Sequence, residues 1–150
     1  FLILSPHILQ VDFAHNYYYF EFAENLKNVE RSQAAYSPAT TLFLQLHERL
    51  QRDVALGEKR IIASVRSKAL YFRELCKKNN WETPVEVPSN SVTGFFVCKN
   101  GEVLFKELVK KEIYIMPGGT PNYFRVSHIG VQTKEDLDEL ARCIKEIENR

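Results

Sequence analysis

The sequence predicts an α+β layer in its second half, an open sheet with helices packed on one side. Three observations carry that expectation. From Trp81 onward, behind a long amphipathic helix, short branched and aromatic runs alternate with helical patterns in the order strand, strand, helix, strand, strand, helix. Proline and glycine close those runs, at Pro88 and at Pro117-Gly118-Gly119. Finally, the chain ends on a capped helix. Thr133 with Asp136 three residues on makes a capping-box pair, and Leu137, Leu140, Ala141, Ile144 and Ile147 recur at helical spacing behind it.

Taken in order, Phe1 to Ser5 reads as a strand, and Pro6 permits a helical turn through Leu9. The chain opens in mid-strand and its single methionine is Met116, which predicts that more of the protein lies upstream. Asp12 to Phe22 is rich in aromatic residues, among them Phe13, Tyr17, Tyr18, Tyr19 and Phe20. A base-stacking platform would want lysines and arginines around it, and only Lys27 is near, so a core or interface segment is the better reading.

Asn25 to Ala35 is polar and is expected to be a loop. A helix start follows, with Ser37 as its cap and Pro38 at the first helical position. Phe43, Leu46, Leu50 and Val54 mark one face, and Gly57 stops the helix. A second helix runs from about Glu58 to Lys78, with Ile62, Val65, Ala69, Phe72 and Cys76 as its stripe and Asn79-Asn80 at its end. Strands are predicted over Thr83 to Val87 and Ser91 to Val97. Asn100-Gly101 would suit a hairpin turn, but Val103, Leu104, Leu108 and Lys110-Lys111 fit a short helix better. Ile113-Tyr114-Ile115 makes another strand before the Pro117 turn, and Tyr123-Phe124-Arg125-Val126-Ser127 the last one.

Composition narrows the function classes. With 150 residues, 45% hydrophobic and 26% charged, the chain suffices for one good core, or for a small domain plus a piece of another. A net charge of +1 gives no electrostatic case for nucleic acid or an anionic membrane. Cys76, Cys98 and Cys143 are odd in number and lack metal spacing, which points to a reducing, cytoplasmic setting. No apolar run has the length of a bilayer span. His47 lacks a second ligand at helical spacing and reads as a surface or packing histidine, and Cys76 as a small buried hydrophobe. No metal site is predicted.

Arg125 stands inside an apolar strand, where a lone buried guanidinium is costly. Two readings follow: a structural ion pair, which position alone favours, or the anchor of an anionic ligand, for which the planar fork suits a carboxylate or phosphate. The helix start at Ser37 is a second potential anion site, although most such caps serve only their own helix.

Three stretches, Tyr36-Ser37-Pro38-Ala39-Thr40, Pro117-Gly118-Gly119 and Phe124-Arg125-Val126-Ser127-His128-Ile129-Gly130, together resemble the class V aminotransferases. These are fold-type-I, α/β enzymes that use pyridoxal phosphate, and the likeness is to the alanine–glyoxylate, serine–pyruvate and 2-aminoethylphosphonate branch. The resemblance implies that residues 1–56 are the tail of a large cofactor-binding domain with the interdomain helix, and residues 57–150 a C-terminal α+β small domain. It implies a homodimer with pockets at the subunit boundary, and transamination between an amino acid, or an aminophosphonate, and a keto acid. By the same likeness Arg125 grips the substrate carboxylate, while Ser37 reaches the phosphate of the neighbouring subunit's cofactor, with Thr40 a second hydroxyl there. Ser37 stands where threonine is usual, which keeps the hydroxyl. The Schiff-base lysine and the aspartate under the pyridine nitrogen belong upstream of Phe1 in this family, so no catalytic residue is assigned and the piece alone is expected to be inactive. His128 falls at a variable position and gives no substrate.

Three other readings stand beside it. The motifs are also similar to those of cysteine desulfurases, but these need a reactive cysteine on a flexible loop, and Cys98 ends an apolar strand. A non-catalytic regulatory domain binding an amino acid through Arg125 would explain the sheet but not the ragged start. Gly94-Phe95-Phe96-Val97 is faintly similar to the aromatic strand of an RNA-recognition domain, with Thr93 where a basic residue is wanted.

Overall fold

The computed structural model describes residues 5–7 and 21–150. The expected strand at Phe1–Ser5, the turn from Pro6 to Leu9 and the aromatic run before Glu21 lie largely outside them. The chain divides into two compact units, residues 1–51 and 52–150.

In the first unit, α1 spans Phe22–Glu30, where a loop is expected from Asn25. Its support is local. The Glu21 side chain accepts from the Ala23 N–H at 3.2 Å. The Asn25 amide donates to the Glu21 carbonyl, and the Asn28 amide to the Glu24 carbonyl, at 2.7 Å each. Phe22, Leu26 and Val29 do stand at helical spacing, but the helix buries none of its residues.

Helix α2, Thr40–Leu56, crosses the division between the units. It begins three residues after Ser37, so neither Ser37 as cap nor Pro38 as first helical residue holds. The turn is made instead by the Thr40 and Phe43 N–H groups, which donate to the carbonyls of Pro38 and Ala39. The predicted face of Phe43, Leu46, Leu50 and Val54 forms, yet all four are exposed. Gly57, at φ +85°, separates α2 from α3, Glu58–Lys78. Only the second half of the α3 stripe is buried: Ala69, Phe72 and Cys76 are covered, while Ile62 is exposed.

Strands β1 (Val92–Phe96), β2 (Met116–Pro117) and β3 (Tyr123–Ser127) form one antiparallel sheet in the order β1-β3-β2. Helices α3, α4 (Gly101–Val109) and α5 (Lys134–Glu148) cover one face, and the result is the predicted open α/β sheet with helices on one side. Thr83 to Val87 is not a strand. Only Glu82 bridges to Phe96, and prolines at 84 and 88 remove donors, so the run has no ladder to join. The strand expected at Ile113–Ile115 is displaced to Met116–Pro117, and Pro117 sits on the sheet edge, where proline is tolerated.

The core joins Phe72 and Cys76 of α3 to Trp81, Phe95, Phe124, Leu104, Leu108 and the whole predicted α5 stripe. Phe95 is its aromatic hub, with ring centroids 5.2 Å from Phe72 and 5.6 Å from Trp81. Among the described residues one carboxylate is buried: Glu148 accepts from the Trp81 indole at 3.1 Å and from the Cys98 N–H at 2.7 Å, which offsets its desolvation. The capping box forms as expected, with the Asp136 N–H donating to Thr133 Oγ1 at 3.2 Å and the Thr133 N–H to Asp136 Oδ2 at 2.7 Å. No helix among the described residues is long and apolar enough to cross a membrane.

Candidate functional site: Arg125 and the cavity beside it

Period-two alternation along β3 decides where Arg125 goes. Phe124 and Val126 turn into the core, so Tyr123, Arg125 and Ser127 face outward. Among the described residues, no hydrogen bond or ion pair engages the Arg125 guanidinium. The structural ion pair that position favours is therefore absent, because the strand is buried on one face only and Arg125 lies on the other.

Register sets its surroundings. Arg125 is opposite Gly94 on β1 and Met116 on β2. Toward β2 opens a cavity of about 480 Å³, in whose wall Arg125 stands with Ile115, Met116, Ser127, Gln132 and Leu140. The cavity is thus apolar with a few polar groups at its edge, the usual character of a small-molecule pocket. Asp136 also lines it, but that carboxylate is held by the Thr133 N–H and hydroxyl at the start of α5. Among the described residues, Arg125 is the cavity's single cationic lining residue.

The loop leaving β3 is tied down. The His128 N–H donates to the Ser91 carbonyl at 2.8 Å, Lys68 Nζ to the Gly130 carbonyl at 2.6 Å, and the Gln132 amide to the Ser127 carbonyl. His128 is fully buried, with Nε2 2.8 Å from the Thr93 hydroxyl and its ring against Phe72. Burial, then the positive charges of Arg73 and Lys68, push its pKa down to about 4 from 6.5. Because the unfolded chain binds this proton more readily than the folded one, the contribution of His128 is complete above pH 6.5 and is lost as pH falls through about 4. Urea midpoints taken along that range should fall more steeply for the parent chain than for His128→Gln.

Ser37 and Thr40 lie in the first unit, Arg125 in the second. Both hydroxyl residues are exposed, and Thr40 Oγ1 is 3.4 Å from the Pro38 carbonyl. A cavity of about 870 Å³ in that unit is lined by Tyr36, Pro38 and Ala39, but by neither hydroxyl residue. Ser37 forms no hydrogen bond among the described residues and precedes the α2 N-terminus. The orphan N–H groups at the start of α2, three residues on, are a donor set that fits a phosphate oxygen.

The other singled-out residues are structural. His47 is on the surface, paired with the Gln51 amide at 3.0 Å. Cys76 is buried, and burial pushes its thiol up to about 12, which leaves it inert. The Cys98 thiol donates to the Asn80 carbonyl at 3.5 Å, close to the end of α3. Among the described residues, no group of histidine, cysteine and acidic side chains is placed to hold a metal.

No protein-family model matches the sequence, and no curated protein matches it. Solved structures do. Over 97% of this chain it superposes on an aspartate aminotransferase of subgroup IV from Thermus thermophilus, with TM-score 0.74 and 19% identity. Over 85% it superposes on the phosphoserine aminotransferase SerC from Cytophaga hutchinsonii, with TM-score 0.71 and 14% identity. The chain shares its fold with aminotransferases. It also matches 8-amino-7-oxononanoate synthase from Francisella tularensis over 63% of its length, with TM-score 0.51 and 18% identity. The chain spans 43%, 37% and 29% of those three proteins.

Sequence reasoning names Arg125 but misses its setting. Met116, Gln132 and Leu140 come to the cavity from three separate segments, and no local pattern joins them. The alternation of Phe124 and Val126 is the one signal in the sequence that tells which way Arg125 faces.

Proposed function

We propose that this chain is part of a pyridoxal-phosphate-dependent aminotransferase of the class V kind, in which Arg125 binds the carboxylate of an amino acid and of its keto acid partner. The observation that carries the reading is the exposed, unpaired Arg125 guanidinium at the edge of an apolar cavity, in a chain with an aminotransferase fold. In this reading residues 1–56 belong to a cofactor-binding domain and residues 57–150 to the small domain. The whole enzyme is a homodimer, in which Ser37 and Thr40 reach a cofactor phosphate. Pyridoxal phosphate, when bound, supplies the electron sink for exchanging an amino group.

What this chain's residues do is bind and orient. The guanidinium fork pairs with both carboxylate oxygens, which fixes the substrate by two parallel hydrogen bonds. The apolar walls formed by Ile115, Met116 and Leu140 exclude water and strengthen that pairing. Holding the carboxylate in one orientation fixes the bond at the reacting carbon, the proximity term of catalysis. For the desulfurase alternative, Cys98 is exposed in the turn after β1, its N–H donating to Glu148 at 2.7 Å and its thiol to the Asn80 carbonyl at 3.5 Å.

The direct test uses the full-length protein. Purified with pyridoxal phosphate, it should show a visible cofactor band that changes on adding an amino acid, with release of the matching keto acid. A full-length protein that retains no cofactor, and forms no keto acid from any amino acid in a standard panel, would overturn the proposal.

A further inference from the structure

Tyr123 precedes Arg125 by two residues on the same outward face of β3. Its ring lies flat on the sheet, because a Cβ added at Gly118 would run into the ring carbons and one added at Gly94 into the hydroxyl. Those glycines flank β3 on opposite sides. Gly94 is the β1 residue opposite Arg125, and Gly118 follows β2 and donates its N–H to the Tyr123 carbonyl at 2.7 Å. Phe96 supports the ring, with centroids 4.9 Å apart. The Tyr123 hydroxyl therefore occupies the place that a side chain at 94 would take, directly on the β1 side of Arg125. On the β2 side, opposite Met116, the cavity opens.

We propose that Tyr123 is a positioning residue for Arg125: it closes the β1 side of the strand and directs the guanidinium toward the β2-side cavity, where a carboxylate is met. A long arginine side chain has many rotamers in solvent, and a neighbour that removes half of them lowers the ordering cost of binding. Both glycines then have one purpose, since each leaves room for a ring laid across the ladder. The inference rests on the reading that Arg125 binds a carboxylate.

The experiment is a calorimetric titration of propionate, a plain monocarboxylate, into the full-length cofactor-loaded protein. Tyr123→Leu should weaken propionate about threefold to tenfold, the size expected for freeing one long side chain. Tyr123→Phe, which keeps the ring, should restore most of that loss. Tyr123→Thr, which keeps a branched strand residue but removes the ring, should weaken binding to a similar extent, and it serves if Tyr123→Leu fails to fold. If Arg125→Ala abolishes binding while Tyr123→Leu and Tyr123→Thr leave it intact, the positioning role is wrong and the carboxylate reading stands. Binding that survives Arg125→Ala overturns the carboxylate reading, and the positioning role with it.

Discussion

In the proposed aminotransferase, replacing Arg125 by alanine should raise the Michaelis constant for the amino acid by about tenfold to a hundredfold. Hydrogen bonds to a charged group contribute about 1.5–3 kcal/mol, and about 1.4 kcal/mol corresponds to a factor of ten. The melting temperature should barely move, because Arg125 is exposed and breaks no pair among the described residues when removed. Steady-state kinetics and a thermal melt on the same preparation decide the matter. A variant that melts well below the parent, with an unchanged Michaelis constant, would return Arg125 to a structural role.

Phe95→Ala should do the opposite. Phe95 is fully buried between Phe72, Trp81 and Phe124, and its loss leaves a cavity that close-packed neighbours refill only in part. The expected cost is about 3–5 kcal/mol, a large share of the roughly 5–15 kcal/mol that holds a typical domain together. Chemical denaturation reads this as a fall in midpoint. A loss below about 1 kcal/mol would mean that the ring is not packed as described, since truncating even the smaller Leu, Ile or Met to alanine in a core costs about 2–5 kcal/mol.

The pair separates the two faces of the sheet. Phe95 and Arg125 are both in its strands, but Phe95 faces α3 and Arg125 faces outward. One change should cost stability with binding intact in the molecules that remain folded, and the other binding with stability intact.

Much of the fold was legible because its signals are local. The α5 stripe and the Thr133–Asp136 box, the break at Gly57 and the α3 end at Asn79-Asn80 need only neighbours within a few residues. The short helix over Asn100-Gly101 was legible for the same reason. Thr83 to Val87 shows the limit, since its branched residues satisfy strand composition but find no ladder. Ser37 shows another: a serine before a proline has the look of a cap, yet the chain takes three more residues to turn into α2.

For the candidate site, the sequence by itself determined that an arginine would sit in a short strand just before a capped helix. Tertiary structure alone decided that this arginine is unpaired, that Met116 and Leu140 wall a cavity beside it, and that His128 is buried behind it against Thr93. The physical reason is range. Helix ends and strand alternation are settled by residues a few positions apart, whereas the β1-β3-β2 order sets residues 94, 125 and 116 side by side. No pattern within any one of those segments records which other strand will lie next to it.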